Sequence, residues 1–274
     1  MLSLIRYLLL LLPFSVSAAT DDLLFGLGLR QGGGVAVSYT AFAVDFNGSA
    51  DYARRSDTMT GLADGKVGTV SLWFRADGGD GTLMDFISVG TAGINRMIVQ
   101  KTTGNAIRLQ GVNASGTTIL DATTATTFTA GAGWHHILAA WDMANSSNRA
   151  IYLDGSLDST TWTTYTDDTI DYLGGSPRTT VGANNANTAA LLWDGCISEF
   201  WFDDTYTDLS VQATREKFRS AAGKPVNLGS DGSVPTGTQP VYYFRTASPD
   251  WETNSGSAGN FTENGTLDAC STVP

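Results

Sequence analysis

The chain has 274 residues, of which 42% are hydrophobic and only 16% charged, and this length is enough for one domain with a full hydrophobic core. Its net charge of −11 disfavours nucleic acid as a partner, because an acidic surface repels a phosphate backbone. The two cysteines have no CxxC or Cys/His spacing, which excludes a structural zinc site.

The N-terminal part divides into a leader and a linker. Residues 1–19 combine one Arg, an apolar run and a small-residue end at Ser17, Ala18 and Ala19, which is the pattern of a secretory signal peptide. A hydrophobic N-terminal arm that docks into a neighbouring subunit is the alternative. The apolar run is short for a bilayer, so we expect no membrane span. Residues 20–41 contain a glycine run at 32–34 and are predicted to be a linker.

From residue 42 onward the pattern is that of short β-strands. Residues 42–48 alternate and end in an Asn-Gly turn, and residues 67–75 place Val70, Leu72 and Phe74 on one face. Further short apolar runs follow, separated by Gly, Asn, Asp and Thr. This spacing favours a sandwich or barrel over βαβ units.

An antiparallel pair is predicted in mid-chain, from residues 134–142 and 149–155. The second run ends in Asp154-Gly155, between stretches rich in β-branched and aromatic residues. Asp-Gly is a strong hairpin signal because both central residues of the turn need φ > 0.

The C-terminal part contains one predicted helix and a tail. Ser210 is a candidate N-cap for a helix over residues 211–221, within a segment 211–223 that ends at a Gly. Residues 224–274 hold a strand at 241–244 among Pro and Gly turns, and are predicted to wrap or extend the sandwich. An unpaired sheet edge could also support a homo-oligomer.

Several motifs occur in a fixed order between residues 42 and 210: Val44-Asp45-Phe46-Asn47-Gly48, Asp51-Tyr52, Ser71-Leu72-Trp73-Phe74, Trp134-His135-His136-Ile137, Tyr152-Leu153-Asp154-Gly155, Val181-Gly182 and Trp193-Asp194-Gly195-Cys196-Ile197-Ser198-Glu199-Phe200. In order and spacing, residues 42–210 resemble the laminin-G-like jelly-roll branch of the concanavalin A-like lectin/glucanase superfamily. The resemblance implies an all-β fold, a sandwich of two antiparallel sheets. One short C-terminal helix and a β-containing tail would follow it.

The leader and tail add a second resemblance. Residues 23–34, the predicted helix and residues 225–238 look like extensions of laminin-G-like proteins encoded by tailed phages. This implies a non-catalytic virion protein that binds host-surface glycan or neighbouring virion subunits. A secreted or surface-attached bacterial carbohydrate-binding or adhesion module is the alternative, and a glycoside hydrolase is the third hypothesis.

We expect no catalysis. Hydrolases of the resembling superfamily carry Glu-x-Asp-x-x-Glu, which places two carboxylates about 5 Å apart, and this pattern is absent here. Glu199 is the Glu of a predicted core strand, and its alternating neighbours Ile197 and Trp201 are apolar. His135 and His136 point to opposite faces of a strand, so they cannot chelate one ion, and we interpret them as structural.

Glycan binding needs an aromatic face and fixed polar groups around it. Trp162 and Tyr165, flanked by Thr and Asp, are the main candidates, with Trp193, Asn184 and Asn185 as further ones. Such exposed aromatic residues could equally face a subunit partner.

Calcium is the one cofactor that the sequence suggests. Ca²⁺ takes six to eight oxygens from Asp, Asn, carbonyls and water, and Asp and Asn are plentiful in the predicted loops. No EF-hand spacing is present. The resembling family includes calcium binders, and the candidate ligands here are Asp167, Asp168, Asn184 and Asn187.

The two cysteines leave the compartment open. Cys196 and Cys270 could form one disulfide that staples the tail to the core if the chain is exported. Two reduced thiols fit the spacing equally well. A virion location and a secreted or cell-surface location are therefore both retained.

Overall fold

The computed structural model describes residues 39–56 and 61–274. The predicted leader and nearly all of the predicted linker lie outside the described residues. Within the described part, no helix has the length and apolar character needed to cross a membrane.

The described residues form sixteen strands and one short helix. Their bounds are β1 (Ala43–Asn47), β2 (Tyr52–Arg55), β3 (Val67–Ala76), β4 (Met84–Thr91), β5 (Ile94–Lys101), β6 (Ala106–Val112), β7 (Thr118–Thr127), β8 (His135–Asp142), β9 (Ala150–Leu153), β10 (Ser156–Leu157), β11 (Thr161–Tyr165), β12 (Pro177–Val181), β13 (Asp194–Asp203), α1 (Gln212–Arg215), β14 (Tyr242–Phe244), β15 (Thr262–Asn264) and β16 (Asp268–Ala269).

The strands form two antiparallel sheets of eight, which confirms the predicted all-β sandwich. Sheet A has the order β10-β9-β8-β3-β13-β1-β16, and β14 pairs with β13 beside this path. Sheet B has the order β11-β7-β6-β5-β4-β12-β2-β15. The predicted mid-chain pair is β8 with β9, and the turn Asp154-Gly155 joins β9 to β10.

The core between the sheets forms because alternate residues of each strand point inward. Val70, Leu72 and Phe74 of β3 are fully buried, as their alternation predicts. Their neighbours Ser71 and Trp73, which point to the opposite face, are buried as well. The outer face of sheet A is therefore covered at this strand.

The segment that follows β13 covers this outer face and forms a second apolar cluster there. Trp201 of β13 packs on Phe218 with ring centres 5.2 Å apart, and its Nε1 donates to the carbonyl of Gly232 at 2.9 Å. The cluster consists of Leu138, Ala140, Tyr152, Trp201, Leu209, Phe218, Leu228 and Tyr243.

The prediction of a helix over residues 211–221 is wrong in its extent. α1 is four residues long, and no side chain caps its N-terminus, although Ser210 is the predicted cap. The backbone N–H groups of Phe218 and Arg219 still donate to the carbonyl of Arg215, but Arg219 then forms a β-bridge with Pro225, which ends the helical path. A single helical turn is too short to be stable alone, so these tertiary contacts decide the conformation.

The tail contributes strands to both sheets. β14 and β16 pair with β13 and β1 in sheet A, while β15 pairs with β2 in sheet B. Next to β16, Cys270 forms a disulfide with Cys196 of β13, and their Cα atoms lie 6.0 Å apart. The tail thus closes one edge of each sheet and is tied covalently to a central strand.

Candidate functional site

A groove lies on the outer face of sheet A, between β8, β9 and β10 on one side and residues 212–221 on the other. Its main cavity has a volume of about 360 Å³, and a second cavity of about 280 Å³ shares Tyr152 with it. The main cavity is lined by His136, Leu138, Tyr152, Asp154, Gly155, Ser156, Gln212, Arg215, Glu216, Arg219, Ser220 and Ala221.

The β9–β10 turn forms one side of the main cavity. Asp154 and Gly155 have φ values of +51° and +83°, as this type of turn requires. Asp154 accepts hydrogen bonds from Nδ1 of His135 at 2.7 Å and from the backbone N–H of His136 at 2.8 Å. Burial raises the pKa of Asp154, but these hydrogen bonds outweigh it and hold the pKa below its ordinary value. Asp154 is therefore ionised at neutral pH.

His136 lines the same cavity and is almost fully buried. Its Nε2 lies 2.9 Å from Oγ of Ser71, and its ring packs on Trp73 with centres 4.7 Å apart. Burial lowers the pKa of His136 to about 3, so the imidazole is neutral and a weak base. Because Asp154 binds the Nδ1 of His135 instead, these groups do not make a Ser–His–Asp triad.

Two arginines from residues 212–221 form the opposite side. The guanidinium carbon of Arg215 lies 4.5 Å from the centre of the Tyr152 ring, and its Nη1 donates to two backbone carbonyls. The guanidinium carbon of Arg219 lies 5.9 Å from the centre of the Trp73 ring. Within the part of the chain that the structure describes, no atom accepts a hydrogen bond from the buried Nε of Arg219.

The predicted sugar-binding pair, Trp162 and Tyr165, lies together on β11 with ring centres 5.5 Å apart. The guanidinium carbon of Arg149 lies 4.8 Å and 4.5 Å from these two ring centres. Both rings also pack against the core, and the Tyr165 hydroxyl accepts a hydrogen bond from the backbone N–H of Asp142. Arg149 lines the second cavity, so it stands between these rings and the groove.

Trp193 is a core residue, so its prediction as a sugar-binding residue is wrong. Its side chain is 0% exposed and packs on Phe86 with ring centres 4.1 Å apart. Its backbone N–H donates to Gly182 and its carbonyl accepts from Gly48, which holds it between two turns. The next residue in sequence, Asp194, is polar and partly exposed, but it opens the buried central strand β13 and does not bring Trp193 to the surface.

The two asparagines predicted to bind sugar hold their own loop together. Asn185 is fully buried, with Oδ1 accepting from the Thr180 hydroxyl at 2.7 Å and Nδ2 donating to the Arg178 carbonyl at 3.0 Å. Oδ1 of Asn184 accepts from two backbone N–H groups of the same loop. The prediction that Asn185 contacts sugar is therefore wrong, because its polar atoms are buried and already bonded.

The predicted calcium ligands have other partners. Asp167 forms an ion pair with Lys66 at 2.7 Å, and Asp168 accepts a hydrogen bond from the amide of Asn113 at 2.7 Å. On the other loop, Nη1 of Arg178 lies 3.3 Å from Oδ1 of Asn187.

A second guanidinium, that of Arg54, donates to the backbone carbonyl of Asn184 at 2.9 Å. Together with Arg178 it places two positive charges at this loop. Positive charge beside the candidate oxygens opposes a cation, so this geometry does not favour calcium there.

A further acidic group lies beside the disulfide. Asp45, Asp77 and Cys196 place ligand-type atoms within 4.8 Å of one another. The sulfur of Cys196 is bonded to Cys270, so it is not a thiolate, and Asp77 forms a bidentate ion pair with Arg75. We therefore assign no metal to this group.

Sequence reasoning missed the arginines of the groove. Arg215 and Arg219 belong to Arg215-Glu216-Lys217-Phe218-Arg219, a strongly basic stretch in an acidic chain. Such a basic stretch is a sequence signal for a site that binds a polar or negatively charged ligand. The interpretation of the segment as an amphipathic helix depends on its apolar residues and passes over the basic ones.

A family model of the laminin G type, described as the concanavalin A-like lectin/glucanases superfamily, matches residues 47–212. Among solved structures, a native heptameric SAP-like pentraxin from Limulus polyphemus is 15% identical with a TM-score of 0.51, and the match covers 86% of this chain and 100% of that one. A putative carbohydrate binding protein from Bacteroides ovatus is 12% identical with a TM-score of 0.58, and the match covers 86% of this chain and 62% of that one. A comparison with curated proteins found no match.

The two structural similarities, at these identities, establish the fold alone. The family match runs from the end of β1 to the start of α1, which is also the segment that carries the motifs of the sequence. The chain therefore belongs to the concanavalin A-like lectin/glucanases superfamily.

Proposed function

We propose that this protein is a non-catalytic carbohydrate-binding module and that the groove on sheet A is its sugar site. The observation that carries the proposal is the combination of an aromatic residue with fixed charged groups in one groove. Tyr152 lines both cavities, the Arg215 guanidinium stacks on its ring, and the ionised Asp154 lies at the turn beside it. Sugar sites combine apolar ring surfaces with a few fixed polar groups in this way.

The environments of the carboxyl groups support binding rather than hydrolysis. Glu199, on which a glycosidase would depend, is 2% exposed and accepts hydrogen bonds from the hydroxyls of Tyr39 and Tyr243, each at 2.6 Å. It does not line the main cavity. Asp154 does, but its lowered pKa is the opposite of what a general acid needs. A glycoside hydrolase is therefore the less favoured alternative.

The disulfide supports a site of action outside the reducing cytosol. Disulfides persist mainly in secreted and cell-surface proteins, where glycans are also found. A role in a tailed-phage virion, with host-surface glycan or neighbouring virion subunits as partners, depends on the resemblance of the leader and tail. Mass spectrometry distinguishes the two locations, since a virion protein is present in purified particles and a secreted module is present in the medium or on cells.

A glycan array, followed by titration of the best oligosaccharide, tests the proposed site. Ala221 lines the main cavity and is exposed, so Ala221→Trp should fill the cavity without disturbing the core. We expect this change to weaken binding by about tenfold or more, the loss of roughly 1.4 kcal/mol. The matched control, Ala132→Trp at an exposed turn, should leave binding unchanged. Wild-type protein that binds no glycan would contradict the proposal.

A further inference from the structure

We propose that the glycan bound in the groove is acidic and that the Arg219 guanidinium binds its carboxylate. This inference depends on the proposed function, because it names the class of sugar that the same groove would take. The observation behind it is an arginine that lines the main cavity and whose buried Nε has no acceptor in the described part of the chain.

The position of Arg219 is fixed by its surroundings. Its guanidinium carbon lies over Trp73, and its backbone pairs with Pro225. A Cβ on Gly155 would lie 2.6 Å from Nη1 of Arg219, and a Cβ on Gly223 would lie 2.8 Å from Nη2. The guanidinium therefore fits because both positions lack a Cβ, and the positive φ of both residues also favours glycine there. The arginine is thus held in the cavity wall before any ligand arrives.

Several other arginines in the described part of the chain have acidic partners. Arg75, Arg96 and Arg108 pair with aspartates at 2.6, 3.2 and 2.7 Å. Arg149 lines the second cavity, where its guanidinium lies over the rings of Trp162 and Tyr165. An oligosaccharide with carboxylates on successive sugars would meet Arg219 in the main cavity and Arg149 in the second.

The carboxylates of the main cavity do not neutralise Arg219 by direct hydrogen bonding. Asp154 contributes a nearby negative charge, but its oxygens accept hydrogen bonds from His135 and His136 of β8. Glu216 accepts from the amide of Gln212 at 2.7 Å. His136 is neutral because burial holds its pKa near 3. A guanidinium can donate two parallel hydrogen bonds to a carboxylate, which a neutral sugar does not offer.

Isothermal titration with paired oligosaccharides tests this inference. The probes are hyaluronan, alginate and pectate oligosaccharides and sialyllactose, each compared with its carboxyl-reduced form. We expect at least one acidic probe to bind about tenfold or more tighter than its reduced form. Arg219→Gln should abolish that preference, and Arg219→Lys should retain part of it because it keeps the charge without the planar fork. The control Arg108→Gln removes a charge from sheet B and should have no effect.

The outcomes separate this inference from the proposed function. Equal binding of acidic and reduced probes would overturn the acidic class while leaving a sugar site in the groove. An acidic preference that survives Arg219→Gln in correctly folded protein would overturn the role of Arg219. Binding of neither form, and of no glycan on the array, would remove the proposed function itself. If Arg219→Gln does not fold, Arg219→Lys and the wild-type comparison decide.

Discussion

The carboxylate of Asp154 accepts a hydrogen bond from Nδ1 of His135 at 2.7 Å, which ties the β9–β10 turn to β8. The same turn forms one side of the main cavity. The most recognisable turn in the sequence thus also shapes the proposed sugar site, and the stability of the turn and the shape of the groove depend on one residue.

Asp154→Asn should reduce stability at neutral pH by about 1 kcal/mol, because it removes a charge that accepts two hydrogen bonds. Asn tolerates positive φ, so the turn itself should be preserved. Since folding lowers the pKa of Asp154, its contribution is present above the unfolded pKa and is lost as the pH falls through the folded pKa. Urea denaturation of wild type and Asp154→Asn at about pH 7 and about pH 2 measures this contribution. The same stability difference between the two proteins at both pH values would contradict the prediction.

Because of Glu199, the protein should be more stable in mild acid than at neutral pH. Burial raises its pKa to about 6, against the opposing hydrogen bonds from Tyr243 and Tyr39. Its contribution is therefore complete below its unfolded pKa, near 4.5, and is lost as the pH rises through the folded value.

Relative to Glu199→Gln, the wild-type free energy of unfolding should fall by about 2 kcal/mol between pH 4.5 and pH 7.5. Denaturation curves across that range check this. Glu263→Gln, at a partly exposed position, is the matched control. A wild-type profile parallel to that of Glu199→Gln would refute the assignment.

Trp193 and Trp162 should respond differently to substitution. Trp193→Ala removes a fully buried ring and should cost about 3–5 kcal/mol of stability. Trp162→Ala removes a partly exposed ring that contacts Arg149, so its cost should be clearly smaller. Guanidinium denaturation of both variants tests the distinction, and equal losses would argue against Trp193 being the core residue.

Loss of the disulfide should destabilise the tail and the sandwich together. Cys270→Ser opens a link between residues 74 positions apart and should lower the free energy of unfolding by about 2–4 kcal/mol. Non-reducing peptide mapping of wild-type protein from its native source is the companion measurement. Wild-type protein that is isolated with two free thiols would contradict the proposed location outside the cytosol.

Much of the fold could be predicted because strand alternation and turn residues are local signals. Val70, Leu72 and Phe74 are buried as their period predicts, and Asp154-Gly155 makes its turn. The extent of the helix could not be predicted, because Phe218 and Arg219 are placed by contacts with distant residues.

The groove was harder to predict for the same reason. Arg219 meets Trp73 across a large separation in sequence, and no local pattern reports that contact. For Trp193 the sequence predicts too much exposure. Its polar neighbours suggest a surface position, but the turns at Gly48 and Gly182 close around it and bury the ring.

A crystal structure of the protein with its best-binding oligosaccharide tests whether the groove on sheet A is the sugar site. We expect sugar density between β9 and residues 212–221, in contact with Tyr152 and within hydrogen-bonding distance of Arg219. Sugar bound on the outer face of sheet B, with this groove filled by solvent, would contradict it.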